Sequence, residues 1–322
     1  MEAIASAGPW AAAGLAGLLG LLVGSFLNVV IHRMPAMMRR GWLADAAAGL
    51  AHEDRAAPSL WSQVFGDRKA PPAGLERAAA EALAAVDALP PLTLSRPRSR
   101  CGACGHAIRW HENIPVLSWL ALRGRCAGCG ARIALRYPLV EIATGALFAL
   151  CGWRFGLSPE AGLWAAFCAL LVCQFAIDLD TQLLPDDLNY PLLWLGLAGA
   201  ALGWTGVGLP QAVWGAVAGY LSLWLVYHAY RLATGKEGMG YGDFKLLAAL
   251  GAWLGAQSLV ALVLMSSLVG SVLGGGLLLA GRLAHKDVPI SFGPFIAGAG
   301  LACFAVGPEA MRRWLPFAFP FG

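Results

Sequence analysis

Apolar and polar positions along this chain are grouped in long blocks, with little of the short-period alternation of a soluble protein. A helix needs about 20 apolar residues to cross a ~30 Å hydrocarbon layer. Runs of about that length fall near residues 9–31, 138–157, 160–177, 188–206, 209–230, 257–281 and 290–307, with a shorter one at 243–256. The pattern predicts an all-α polytopic membrane protein of about eight transmembrane helices, or seven if the sixth and seventh runs share a boundary. The first run, "WAAAGLAGLLGLLVGSFLNVVIH", exceeds a signal-peptide core, lacks a basic leader and is followed by basic residues. It reads as a retained helix. Three regions follow: a first helix at 1–31, a soluble segment at 32–137 and a transmembrane region at 138–322.

Composition agrees with that class. The 322 residues are 58% hydrophobic and 13% charged, against roughly 25% charged in soluble proteins. The net charge of +4 says less than its placement. Arg33, Arg39, Arg40, Arg132, Arg136, Arg231, Lys236, Lys245, Arg282 and Lys286 all fall on one side of an eight-span chain. The excess of basic residues there predicts a cytoplasmic face. Arg154, Arg312 and Arg313 depart from the rule. Within 32–137, the Ala-rich stretch 43–95 reads as a spacer with one or two surface helices, and 96–137 is a distinct cysteine-containing region.

That region contains "CGAC" at 101–104 and "CAGC" at 126–129. Two tight knuckles supply four thiolates, the donor set of a closed tetrahedral zinc site. Two disulfides or a redox C-x-x-C are the competing readings. A reducing cytosol disfavours the first, and the absence of a βαβ pattern disfavours the second. Cys101, Cys104, Cys126 and Cys129 are therefore expected to hold a structural Zn²⁺, with His106 and His111 close by. Cys151, Cys168, Cys173 and Cys303 lie in apolar runs at no ligand spacing and read as small buried hydrophobes.

Ionisable groups at a membrane face are costly and point to function. "QFAIDLDTQLLPDDL" carries Asp178, Asp180, Asp186 and Asp187, and "KEGMGYGDFK" carries Asp243. Asp186 and Asp187 follow Pro185 and suit helix capping. Asp178 closes an apolar run and should lie deepest, with Asp180 in reserve. Gly240 and Gly242 before Asp243 suggest unusual backbone angles and close approach of another chain. Asp178 and Asp243 could form a general acid and base that share one water, the assignment of the two roles left open. Each acid taken alone also fits a helix cap, and paired acids also build ion pathways. No polar ladder crosses the spans, and neither H-E-x-x-H nor G-x-S-x-G occurs.

Taken together, "GLLVGSFLNVVIHRMP", the paired cysteine knuckles, "HENIPVLSWLALRGRC", "RYPLVE", "IDLDTQLLPDDL", "GYLSLW", "GKEGMGYGDFKLLAALGAW" and "FGPF" resemble the type IV prepilin peptidases, over most of the chain. The resemblance implies a G-x-G-D-type aspartic endopeptidase of the bacterial inner membrane, with Asp178 and Asp243 catalytic and 138–322 as the peptidase domain. It implies removal of the basic leader from prepilins and pseudopilins of type IV pilus and type II secretion systems, cut after a glycine on the cytoplasmic side. It further implies N-methylation of the new terminal residue with S-adenosylmethionine, because the family's bifunctional members carry the four-cysteine domain that this chain also has. The methyl-transfer site does not follow from the residues; Glu112, Asn113, Lys236 and Glu237 are the polar candidates. The 43–95 insert departs from the family pattern. Partners are the substrates and the lipid bilayer, with no nucleic acid expected. The rival functions are an ion- or proton-coupled transporter using the same acids, and a zinc-scaffolded assembly factor without catalysis.

Overall fold

Lipid offers no partner for a backbone N–H or C=O, so an apolar run in a bilayer must close its hydrogen bonds within itself. The computed structural model describes residues 8–51, 60–66, 69–279, 291–307, 310, 311 and 313, and among these it is helical without named strands. The helices are α1 (Pro9–Ala51), α2 (Leu60–Phe65), α3 (Leu75–Asp87), α4 (Leu117–Ala121), α5 (Arg136–Phe155), α6 (Pro159–Thr181), α7 (Asp186–Ala201), α8 (Leu209–Thr234), α9 (Tyr241–Leu254), α10 (Leu259–Leu279) and α11 (Gly293–Val306), with a 3-10 turn at Trp110–Asn113. Arg282, Lys286, Arg312, part of the 43–95 insert and the adjoining ends of the last two apolar runs lie outside the described residues.

Eight helices occupy the eight apolar runs. Five are long and apolar enough to cross a membrane: Pro9–Ala51, Arg136–Phe155, Pro159–Thr181, Leu209–Thr234 and Ala256–Gly276. The other three have 16, 14 and 14 residues. At 1.5 Å per residue these reach about 21–24 Å, short of a full crossing. Among the described residues, helix length supports five of the eight expected spans. One reason is visible in α9, whose residues from Leu246 to Trp253 are all buried. A helix sheathed by protein need not match the bilayer.

The chain divides into two compact units, 1–31 with 109–322, and 32–108. The division falls inside α1, which runs 20 residues past the predicted end at 31 and through Pro35. Helix-favouring residues such as "LADAAAGLA" carry it onward. In the 32–108 unit, buried Arg33 donates to the carbonyls of Thr93 (2.9 Å) and Pro97 (2.7 Å), and Arg40 donates to that of Pro90 (3.0 Å). Arginines read as orientation markers also clamp their own unit.

In the larger unit, small residues set the helix spacing. Gly20 and Gly24 of α1 lie so close to Gly145 and Glu141 of α5 that a Cβ would sit 2.9 and 2.7 Å from their Cα atoms. Gly215 of α8 meets the backbone of Gly251 of α9, and one turn along Gly219 meets Leu247, so these two helices run antiparallel. Buried Glu141 accepts the Val116 N–H at 2.7 Å. It thereby holds a β-branched residue at φ 60, a region such residues avoid. Arg154, one of the exceptions to the charge rule, donates to the carbonyls of Phe304 and Ala305 at the end of α11. A cation at a helix C-terminus is favourable there whatever the topology.

Replacing Gly251 or Gly215 by valine should force α8 and α9 apart and cost at least about 2 kcal/mol. The expected result is a clear fall in melting temperature of the detergent-solubilised chain, whereas Gly275→Val, which meets nothing within 4 Å, should leave it unchanged.

Candidate active site

Aromatic contacts set the register that determines where Asp178 and Asp243 stand. Trp253 of α9 lies 5.0 Å from Trp164 and 4.7 Å from Phe167 of α6, measured between ring centroids. Nearer the other end, Leu250 and Leu171 both pack on Gly300 of α11, so α6 and α9 run antiparallel. Asp178 is eleven residues beyond Phe167, and Asp243 is ten before Trp253. At about 1.5 Å per residue, both acids stand about 15–17 Å from the shared aromatic contact. They are therefore level, and close enough for the charge of Asp178 to act on Asp243. Only 3% and 6% of the two residues is exposed.

Asp178 is held from α11. Phe304 packs on Trp164 (4.9 Å) and Phe167 (6.1 Å), which brings the N-terminus of α11 to the end of α6. There the Ser291 hydroxyl donates to Asp178 Oδ2, and the Gly293 N–H donates to the same carboxylate. Gly293 leaves no space for a Cβ against Oδ2. Backbone donors and the positive end of a helix dipole both suit a carboxylate at that point. The sequence reading missed Ser291 and Gly293 as site residues. Their one signal was "FGPF", a Gly-Pro pair of the kind that opens a helix.

Asp243 lies in the first turn of α9 and accepts from the Gly240 N–H. Its Oδ1 is buried without a hydrogen-bond partner among the described residues. Leu184 connects the two acids: its side chain packs against Gly242, 2.7 Å from where a Cβ would stand, and against Gly293 at 3.0 Å. Close approach is thus the reason for Gly242. The expectation of unusual angles fails for Gly240, which has φ −83 and ψ 153, values open to any residue.

Two of the remaining acids have other partners. Asp180 pairs with Arg136 at 2.6 Å and Asp186 with Lys245 at 2.7 Å. Pro185 takes the N-cap position of α7, which places Asp186 and Asp187 in its first turn and not at the cap. They face the helix dipole there without a capping hydrogen bond.

The cysteine knuckles repeat one geometry. Cys101 N–H bonds to the His106 carbonyl and Gly105 N–H to the Cys101 carbonyl; Cys126 with Ala131 and Gly130 with Cys126 do the same. Gly105 and Gly130 both have φ 72, a conformation that favours glycine. Antiparallel bridges at Arg100–Ala107 and Arg125–Arg132 close each knuckle. One sulfur from each of Cys101, Cys104, Cys126 and Cys129 lies within 4.8 Å of the others, a group that could bind a metal ion. A tetrahedral site with ~2.3 Å metal–sulfur bonds needs sulfurs about 3.8 Å apart, and this cluster is compatible with that. Cys151, Cys168, Cys173 and Cys303 are buried, as expected of apolar packing.

The polar candidates for methyl transfer do not share one described contact. Glu112 accepts the Arg109 N–H at 2.9 Å in the turn at 110–113, and Asn113 is exposed there. Lys236 and Glu237 stand exposed between α8 and α9.

These features define a class: a polytopic helical membrane protein that buries two carboxylates from separate helices, level with each other, at one end of its bundle. Comparison with known proteins gives the family. The sequence pattern of the "Bacterial Peptidase A24 N-terminal domain" matches residues 18–155, and that of the "Type IV leader peptidase family" matches 165–275. The chain is 46% identical over 300 residues to a prepilin leader peptidase/N-methyltransferase of Stutzerimonas stutzeri, covering 93% of this chain and 92% of the relative. It is 46% identical over 301 residues to one of Pseudomonas aeruginosa (94% and 92%) and 46% over 308 residues to one of Aeromonas hydrophila (95% and 94%). The chain belongs to the type IV leader peptidase family. No solved structure matches it.

The purified chain should carry about one metal ion per four knuckle thiols. Elemental analysis should find that ion lost in Cys101→Ser and in Cys129→Ser, and retained in Cys303→Ser.

Proposed function

We propose that this protein removes the basic leader from type IV prepilins and pseudopilins, after a glycine, at the cytoplasmic face of the bacterial inner membrane. It then methylates the new N-terminus. Asp178 and Asp243 carry the hydrolysis. The observation behind this reading is their placement: two carboxylates from separate helices, level and buried, with the nearby Asp180 and Asp186 taken up in ion pairs.

The chemistry needs both. One carboxylate accepts a proton from water as the water oxygen bonds to the scissile carbonyl carbon. The other, protonated, gives its proton to the leaving amide nitrogen as the C–N bond breaks. The products are a carboxylic acid and a free amine, and the dyad has exchanged one proton. Ser291 and the Gly293 N–H fix the direction of the Asp178 carboxylate, a geometric role that hydrolysis requires. The pairing of Asp180 with Arg136 and of Asp186 with Lys245 takes two of the nearest acids out of any ion path, which weighs against a transporter.

A prepilin presents a basic leader followed by an apolar helix. An apolar helix lying in the bilayer brings the peptide bond at its cytoplasmic end to the depth of the dyad. We assign 32–137 to the cytoplasm and 138–322 to the peptidase, with the first helix completing about eight spans. The four knuckle thiolates would hold Zn²⁺ in a closed structural site. Arg100, Arg125 and Arg132 in the knuckles offset its charge. S-adenosylmethionine, when bound, would supply the methyl group to the new amine, and Glu112, Asn113, Lys236 and Glu237 are the polar residues offered for it.

Purified enzyme incubated with a pilin precursor and read by intact mass tests this directly. Leader loss is expected from the wild-type chain, with a further gain of one methyl group when S-adenosylmethionine is added. Asp178→Asn and Asp243→Asn should each lower cleavage by at least about 10³-fold while still inserting normally. Full cleavage by either variant would refute the dyad. Ser291→Ala, which only loosens Asp178, should lower kcat about 10-fold with KM unchanged.

A further inference from the structure

Two buried amides lie just inside the dyad, and the proposed chemistry does not yet use them. Gln174 is 0% exposed and Asn189 is 1% exposed. Neither Gln174 Nε2 nor Oε1 has a hydrogen-bond partner among the described residues, and Asn189 Oδ1 has none either. Asn189 Nδ2 donates to the Leu184 carbonyl at 3.4 Å, which ties it to the residue that packs between Gly242 and Gly293. The fourth unpartnered buried polar atom in this set is Asp243 Oδ1. Unpaired buried polar atoms are rare, and each calls for an explanation.

Helix register brings these atoms together. Gly199 of α7 packs on Leu163 of α6. Gln174 lies eleven residues from that contact along α6 and Asn189 ten along α7, both toward the dyad end, so at about 1.5 Å per residue they are level. Gln174 is also one turn from Asp178 on the same face of α6, with the Asp178 side chain leaning back over it. The stripe Phe167, Leu171, Gln174 and Asp178 and the stripe Asn189, Leu192 and Gly196 converge on α9. Trp253 makes that convergence concrete, since its ring touches Phe167 while its N–H donates to the Leu192 carbonyl at 2.7 Å. Register thus sets two donors on Gln174 Nε2 at the depth of the acceptors Gln174 Oε1 and Asn189 Oδ1, about one helical turn below Asp243 Oδ1.

We propose that Gln174 and Asn189 are positioning residues that hold water beneath Asp243 and so keep hydrolytic water at a dyad closed to bulk solvent. A water molecule suits this donor set. It accepts from Gln174 Nε2, donates to Asn189 Oδ1 and Asp243 Oδ1, and needs two to four polar partners to stay in an interior. Two successive hydrogen bonds span about 5.5 Å, comparable to the one helical turn of about 6 Å between Gln174 and Asp178. Hydrolysis inside an apolar bundle consumes one water per turnover, and an amide pair retains water without adding a charge or a titratable group beside the dyad. The inference rests on the dyad reading above.

The test is leader cleavage by Gln174→Met, which keeps length and removes the amide, by Asn189→Leu, and by the double variant. Each single variant should lower kcat about 30-fold with KM within about twofold and a changed solvent isotope effect, and melting temperature should hold or rise. The double variant should cost about what either single one costs, since both act on the same water. Wild-type kcat in Gln174→Met, a loss confined to KM, or multiplying effects in the double variant would overturn the inference. If Gln174→Met is recovered poorly, Gln174→Asn, which withdraws the amide by one methylene, decides instead: about a 5-fold fall in kcat supports the proposal, and unaltered turnover overturns it. Asp178→Asn and the wild type run alongside. A wild-type chain that cannot cleave defeats the dyad reading itself, whereas a cleaving wild type with unaffected amide variants defeats only this one.

Discussion

The indole of Trp253 is the constraint from which the site is built. It packs at a tilt against Trp164 and Phe167 on one helix and donates to the Leu192 carbonyl on another. Gly196 lies so close that a side chain there would meet the ring. A helix pinned this way near its end cannot slide, because each residue of slip would move every side chain by 1.5 Å and turn it by about 100°. The two carboxylates sit at the other ends of the pinned helices. Their common level is a consequence of packing some 15 Å away. An apolar contact thus positions a polar site, and the two are stabilised by different physics.

Polar groups in the bundle divide into those with partners and those without. Asp180, Asp186, Arg136, Lys245, Arg154 and Glu141 each have a salt bridge or hydrogen bond that offsets the cost of leaving water. Asp178 has donors from Ser291 and Gly293. Asp243 keeps one oxygen uncommitted, as do Gln174 with its whole amide and Asn189 with its amide oxygen. In a bundle where an unpaired buried polar group costs on the order of 1–3 kcal/mol, such atoms concentrate where stability yields to function. Glycine plays the complementary part. Gly242 and Gly293 bring α9 and α11 against Leu184 and Asp178, so the acids share a volume that any side chain at either position would fill.

Most of the candidate site could be read along the chain, because the energetic signal is local. An acid that closes a continuous apolar run, as Asp178 does, stands out wherever it folds. The repeated C-x-x-C knuckles are equally local, since each turn is closed by hydrogen bonds within six residues. What could not be read is the support around the acids. Ser291 lies 113 residues from Asp178, and a serine beside a phenylalanine carries no mark of such a partner. Gln174 and Asn189 are one amide each in apolar runs, ordinary until burial leaves their atoms unpaired. The glycine reading was half right for the same reason: Gly242 is needed by a contact from another helix, and Gly240 is not.

The amino-acid sequence by itself determined the helical class, the places of the eight apolar helices, the four thiols and the two acids. Those follow from hydropathy and spacing, which act over a few turns. Helix length, register and depth belonged to the tertiary structure. α1 runs on to Ala51 and three helices stop short of a crossing, because neighbours as well as lipid set where a helix ends. Packing of side chains distant in sequence alone decided that Asp178 and Asp243 stand level, with Ser291 and Gly293 on one side and two unpaired amides beneath.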